Sequence, residues 1–178
     1  MKIFTTRNDF IKSLDSNLVI CEIGVFKGDF SQILFDTNPK ELHLIDLFDG
    51  KFWSGDKDGL NMQYLDLSES YKNLQIKYNK YNNIYIHKGY SYDVLLNLPN
   101  YYFDFMYIDA DHTYDGVKND LALCKQKTKI NGIIAGHDYN ESRFPGVVQA
   151  VQEFCNTYKL SISFLTNDGC PSFGIINL

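Results

Sequence analysis

The sequence predicts an α/β fold: a doubly wound, seven-stranded, mostly parallel sheet that ends in an antiparallel C-terminal strand pair. Three observations predict it. Short β-rich apolar runs alternate with amphipathic, helix-like stretches, the pattern of βαβ units. The last two β-rich runs have no helix between them, only the turn Asn167-Asp168-Gly169, which suits a hairpin. Glycine and acidic residues gather just after several of the runs, where sheets of this kind bind ligands.

The first run, Leu18 to Ile23, stops at Gly24, and Asp29 to Phe35 follows as a helix. Leu42 to Asp46 is the second strand. Ser68 to Lys80 reads as a helix, with Leu74, Ile76 and Tyr78 among polar residues, and Ile84 to His87 is the third strand. Tyr92 to Leu98 is a short helix stopped by Pro99, and Phe103 to Asp109 is the fourth strand. Within Gly116 to Lys127, Val117, Leu121 and Cys124 fall at helical spacing; Gly132 to His137 is the fifth strand. Pro145, favoured in a first helical turn, opens a helix with the apolar stripe Val147, Val148, Val151 and Phe154. Ile162 to Leu165 and Phe173 to Ile176 are the final strands. No repeat or low-complexity linker interrupts the pattern, so residues 1–178 read as a single domain.

Composition excludes several classes. Hydrophobic residues are 44% and charged residues 22%, ordinary for a globular protein. The net charge is −5 and Lys and Arg are scattered, so no basic face presents itself to phosphates and nucleic acid is not an expected partner. The cysteines Cys21, Cys124, Cys155 and Cys170 form no Cys-x-x-Cys pair, and free thiols in a reducing cytoplasm are expected. No apolar segment is long enough for a signal sequence or a membrane span, so a membrane is not an expected partner either.

The turn after the first strand reads Glu22-Ile23-Gly24-Val25-Phe26-Lys27-Gly28. Glycines there let the backbone approach a ligand and bend into the next helix. Glu22 stands where a dinucleotide fingerprint has its first glycine, and a carboxylate beside a diphosphate would repel it. The same carboxylate suits an ammonium group, such as the methionine end of S-adenosylmethionine (SAM). Asp46 ends the second strand, where a carboxylate can accept ribose hydroxyls. The bland alternative is a tight turn at Gly24 and Gly28 with Asp46 as a strand-end cap.

With these residues in view, the chain resembles class I methyltransferases, SAM-dependent enzymes on a Rossmann-like sheet. The resemblance runs through Val19 to Gly28, Leu44 to Asp46, His87 to Ser91, Phe103 to His112 and Gly132 to Tyr139. Ile108-Asp109-Ala110-Asp111-His112-Thr113-Tyr114-Asp115-Gly116-Val117, and Gly136-His137-Asp138-Tyr139 followed by Pro145-Gly146-Val147, look most like a bacterial subgroup related to macrocin-type sugar O-methyltransferases. The resemblance implies that Glu22, Gly24 and Gly28 hold the methionine moiety, Asp46 the ribose, and Gly89, Tyr90 and Ser91 the adenine. Val25, Leu47 and Asp109 complete the expected cofactor contacts.

Asp109 and Asp138 end the fourth and fifth strands, which as neighbours would lie about 4.8 Å apart. Two carboxylates there can chelate a hard divalent cation, Mg²⁺ above all, which would hold an acceptor hydroxyl. His112, three residues beyond Asp109, suits proton acceptance near neutral pH, and in the related sugar methyltransferases the matching histidine is the proposed general base. Metal-dependent relatives often show Asp-Asn or Glu-Asp after the fifth strand; here the pair is His137-Asp138. Asp111, Asp115 and Asp120 read as helix-start and surface residues, and His43 and His87 as packed or edge residues. The aromatic loop Phe48 to Gly55, with the lone Trp53, is either a cover over the site or a surface loop pinned by one ring.

The expected activity is methyl transfer to an oxygen of a small sugar-like or polyol acceptor. A nicotinamide-dependent oxidoreductase is disfavoured by Glu22 and by the lack of an obvious Tyr-x-x-x-Lys catalytic pair. A non-catalytic nucleotide-binding module would not need Glu22, Asp46, Asp109, His112 and Asp138 together. An oxidative enzyme on the same scaffold is a further alternative. Acceptor specificity falls to short loops or to a partner chain, a homo-oligomer included.

Overall fold

The computed structural model describes residues 1–53, 62–65 and 67–178. The elements are β1 (Lys2–Phe4), α1 (Arg7–Lys12), β2 (Val19–Ile23), α2 (Asp29–Phe35), β3 (Glu41–Asp46), β4 (Gly50–Trp53), β5 (Met62–Leu65), α3 (Ser68–Tyr78), β6 (Ile84–Lys88), α4 (Ser91–Leu96), β7 (Phe103–Ile108), α5 (Tyr114–Lys127), β8 (Thr128–Gly136), α6 (Pro145–Tyr158), β9 (Ile162–Thr166) and β10 (Phe173–Ile176).

The main sheet runs β1-β9-β10-β8-β7-β2-β3-β6. All its pairs are parallel except those of β10, which lies antiparallel between β8 and β9. Its central strand β2 is buried at every position, as a strand covered on both faces must be, which is why Val19-Ile20-Cys21 reads as an unbroken apolar run. One face packs Phe10, Ile11, Phe30, Leu34, Leu74 and Tyr78 from α1, α2 and α3. The other packs Leu95, Val117, Leu121, Val147, Val151 and Phe154 from α4, α5 and α6. Three helices per face make the sheet doubly wound. The chain leaves β2 toward β3 and β6, then returns to the other side of β2 as β7, so the crevice of the topological switch opens between β2 and β7.

Four features differ from the sequence expectation. The sheet has eight strands, because Lys2–Phe4 adds in parallel to β9. Three residues, of which only Phe4 is buried, carry no readable alternation. The fifth expected strand starts earlier, at Thr128; its pairing with β7 shifts register between Phe103 and Phe105, and the Asn177 amide donates to Thr128 O (2.8 Å) and Lys129 O (3.2 Å) across the irregularity. The final hairpin turns through residues 167–172 rather than three residues, closed by Ser172 N donating to Thr166 Oγ1 at 2.7 Å. β4 falls in the stretch expected to be an aromatic loop and pairs with β5 as a separate two-stranded sheet. Residues 54–55 of that loop and the Trp53 side chain lie outside the described residues. Among the described residues no helix is long and apolar enough to cross a membrane.

Candidate active site

The carboxyl ends of the central strands are tied to one another by backbone bonds. Gly24 N donates to Ile45 O, Gly89 N to Asp46 O, Asp109 N to Ile23 O and His137 N to Ile108 O, all within 3.0 Å. The loops that carry Gly24, Gly89, Asp109 and His137 are therefore held as one shelf.

At the glycine turn, Gly24 has φ +92°, and a Cβ on it would lie 2.0 Å from Asp109 O. The missing side chain thus lets β2 and β7 meet at the switch point. Gly28 caps α2 with φ +84° and faces Leu74 of α3, which a Cβ would meet at 2.5 Å. Val25 is buried beneath the turn.

Glu22 is 1% exposed and accepts a short hydrogen bond from Ser31 Oγ. Burial pushes its carboxyl pKa well above the ordinary range, against the Ser31 bond. The carboxylate expected to face an ammonium is turned instead toward α2, in a setting that favours its protonated form. Asp46 is likewise engaged. Its Oδ2 accepts from Val25 N (2.8 Å) and Phe26 N (2.9 Å), and its Oδ1 from Phe48 N (2.6 Å). It holds the turn in shape and has lone-pair capacity left on Oδ1. Leu47 and Tyr90 are exposed beside it. Ser91 opens α4 and donates to Asp120 Oδ1 at 2.5 Å. Asp120, expected at the surface, is buried, and burial raises its pKa to about 6 while the Ser91 bond opposes the rise.

The ends of β7 and β8 bring four side chains together. His112 Nε2 lies 3.0 Å from Asp138 Oδ2 and 3.6 Å from Asp109 Oδ1; His137 Nδ1 lies 3.2 Å from Asp138 Oδ1 and 3.9 Å from Asp109 Oδ1. Asp138 reaches this position from a left-handed backbone, φ +59°, a strained conformation that concentrates at functional sites. Burial alone would lower the His112 pKa, but the two carboxylates outweigh it and push it up to about 9. Burial would raise the Asp138 pKa, but the two imidazoles hold it well below the usual carboxylate range. His112 Nε2 is buried and makes no well-aligned hydrogen bond, although Asp138 Oδ2 lies 3.0 Å away. Asp109, His137 and Asp138 offer ligand atoms within 4.8 Å of one another.

Two participants lie outside the expected set. In sequence His137 reads as a departure from a two-acid pattern, although it directly precedes Asp138. Arg7 gave no signal: it sits at the start of α1, yet its Nη1 donates to Asp109 Oδ2 at 3.1 Å and its guanidinium lies 4.2 Å over the Phe30 ring. The other acidic residues of the region serve local structure. Asp111 accepts from Thr113 N and Oγ1, and Thr113, not Asp111, caps α5. His43 and His87 pack as expected, His43 Nδ1 lying 3.1 Å from His87 Nε2. One Tyr-x-x-x-Lys spacing does occur, Tyr114 to Lys118. Lys118 Nζ donates to Tyr114 OH (2.7 Å) and lies 3.8 Å from exposed Glu153, a surface network on α5 and α6.

An open, mostly parallel sheet with a glycine turn at its switch point, acidic residues at the ends of β3, β7 and β8, and a last strand inserted antiparallel between β8 and β9 defines the Rossmann-like methyltransferase class. A family model described as a methyltransferase domain matches residues 21–139, and the chain belongs to that family. It is 31% identical over 144 residues to the uncharacterized protein R132 of Acanthamoeba polyphaga mimivirus, an alignment covering 77% of this chain and 59% of that protein, so the chain spans well under two thirds of this relative's length. Among solved structures, SMU.1697c of Streptococcus mutans in complex with SAH aligns with a TM-score of 0.62 at 13% identity, over 96% of this chain and 95% of that one. Aeropyrum pernix fibrillarin with bound S-adenosyl-L-methionine aligns with a TM-score of 0.64 at 10% identity, over 95% and 73%. These two likenesses concern the fold.

Proposed function

We propose that the protein is a SAM-dependent methyltransferase that transfers a methyl group to an oxygen of a small sugar-like or polyol acceptor, assisted by a divalent cation. The observation that carries the reading is the convergence of Asp109, His112, His137 and Asp138 at the ends of β7 and β8, beside the glycine turn of β2. The cofactor lies along the shelf, with the turn from Gly24 to Gly28 at its methionine end and Ser91 at its adenine end. Asp46 contributes twice, by shaping the turn and by offering Oδ1 to one ribose hydroxyl.

Asp109, Asp138 and His137 would hold the cation. One nitrogen and two carboxylate oxygens within 4.8 Å of one another are a donor set that fits such an ion. A divalent cation there supplies orientation of an acceptor hydroxyl and a lowered hydroxyl pKa. The imidazole at the third corner widens the choice beyond Mg²⁺ to ions that accept nitrogen, such as Mn²⁺ or Zn²⁺. His112 stands to take the hydroxyl proton as the oxygen attacks the methyl carbon, an in-line approach in which positioning matters as much as basicity. With its pKa near 9 beside two free carboxylates, it is mostly protonated at neutral pH. Its service as a base therefore depends on those carboxylates being engaged elsewhere, and the two roles stand or fall together.

Calorimetric titration with S-adenosylhomocysteine, with and without Mg²⁺, Mn²⁺ or Zn²⁺, tests the reading, with NAD as the control ligand. The homocysteine compound should bind and NAD should not. Once an acceptor is found among sugars and polyols, His112→Ala should lower turnover by about 10²–10⁴-fold with cofactor affinity unchanged. Chelator should inhibit, and Asp138→Ala should abolish metal dependence. Full activity in chelator removes the metal; full activity of His112→Ala removes the base.

A further inference from the structure

Arg7 lies outside residues 21–139, the span that defines the family, yet it reaches the centre of the shelf. Three contacts hold it there. Its backbone N–H donates to Asp168 Oδ2 at 2.9 Å, tying the start of α1 to the β9–β10 hairpin. Its guanidinium rests over the Phe30 ring, which itself packs on Tyr107 at 4.4 Å between centroids. Its Nη1 donates to Asp109 Oδ2. The side chain keeps 26% of its surface open, and a guanidinium has five N–H donors in a rigid fork suited to a carboxylate. The two oxygens of Asp109 divide the site: Oδ2 faces Arg7, while Oδ1 faces His112 and His137.

A partly exposed Arg–Asp pair beside a glycine turn presents one positive and one negative group side by side, the complement of an α-amino acid with its carboxylate and ammonium on one carbon. Glu22 is 1% exposed and accepts from Ser31 Oγ, whereas Arg7 and Asp109 keep part of their surface open. We infer that Arg7 receives the carboxylate of the cofactor's amino-acid end, with Asp109 beside the ammonium. This rests on the reading of the shelf as a SAM site. Arg7 thereby discriminates cofactors that keep the carboxylate from those that lack it, and it makes α1 part of the binding site.

The test compares two ligands by calorimetry: S-adenosylhomocysteine and its decarboxylated analogue, 5′-deoxy-5′-(3-aminopropylthio)adenosine, which keeps the adenosine, sulfur and amine. The parent protein should prefer the first. Arg7→Gln should weaken the first by about 10- to 100-fold, the range of hydrogen bonds between charged partners, and leave the analogue's affinity unchanged. Arg7→Lys should recover part of the loss. Thermal melting of the variants reports on their folding. Equal losses for both ligands, or no loss for either, overturn the assignment, the former because Arg7 would then act only by holding Asp109 or the fold. A parent protein that binds both ligands equally overturns Arg7 alone, whereas one that binds neither overturns the cofactor reading beneath it.

Discussion

At the scale of single residues, backbone geometry sets what a substitution can do at the glycine turn. A Cβ at Gly24 would enter the carbonyl of Asp109, and φ +92° disfavours any side chain there. Gly24→Val pushes apart β2 and β7 and should be destabilised by at least about 2 kcal/mol, read from urea unfolding, before any ligand is added. Asp46→Ala similarly strands three backbone N–H groups, those of Val25, Phe26 and Phe48. It should lower stability by about 1–3 kcal/mol and weaken S-adenosylhomocysteine as well. Asp46→Asn, which keeps one oxygen acceptor, should retain more of both. A fully stable Asp46→Ala protein with weak binding would assign Asp46 to the ligand alone. Both the tight-turn alternative and the ligand-site alternative were legible at Gly24 and Asp46. Choosing between them needed the distances, because a carboxylate at a strand end serves either partner.

At the scale of elements, the runs from β2 to β10, apart from β4 and β5, declare themselves through local pattern. β2, α2 and β10 fall within a residue of their expected bounds, because apolar runs, glycine stops and Pro145 are short-range signals. The elements without such a pattern are β1, α1, β4 and β5. Yet α1 carries a capping box: Thr6 Oγ1 accepts from Asp9 N at 3.2 Å while Asp9 Oδ2 accepts from Thr6 N at 3.1 Å, just before buried Phe10 and Ile11. That Thr-x-x-Asp spacing is a short-range signal for the start of α1. Thr6→Ala should cost about 1 kcal/mol in chemical denaturation. Since Arg7 is the first residue of this helix, S-adenosylhomocysteine affinity should fall in the same variant. Unchanged affinity there would detach α1 from the site.

At the scale of the whole molecule, two buried groups give stability opposite pH slopes. Burial lowers the His43 pKa from 6.5 to about 4, so between these values the unfolded chain binds the extra proton and stability is lost as pH falls. Burial raises the Asp120 pKa from 3.8 to about 6, so across that window the folded chain holds the extra proton and stability is lost as pH rises. Each is worth about 3 kcal/mol at most, and they largely cancel in the parent. Melting curves between pH 4 and 7 should therefore steepen in opposite senses: His43→Gln should hold its stability better toward pH 4, and Asp120→Asn better toward pH 7. Parallel profiles for the parent and both variants would refute the assignment. The sequence alone determined the class of fold and most of the residues that meet at the shelf. Alternating periodicities specify strands and helices locally, and the rule that ligands gather at the carboxyl ends of parallel strands points to Asp46, Asp109 and Asp138 without coordinates. Only the tertiary structure decided partnerships: Glu22 with Ser31, Asp46 with the turn, His137 with Asp109 and Asp138, and Arg7 with Asp109 across a separation of 102 residues. Such pairings depend on strand order and on side chains meeting over long loops, and no local periodicity encodes them.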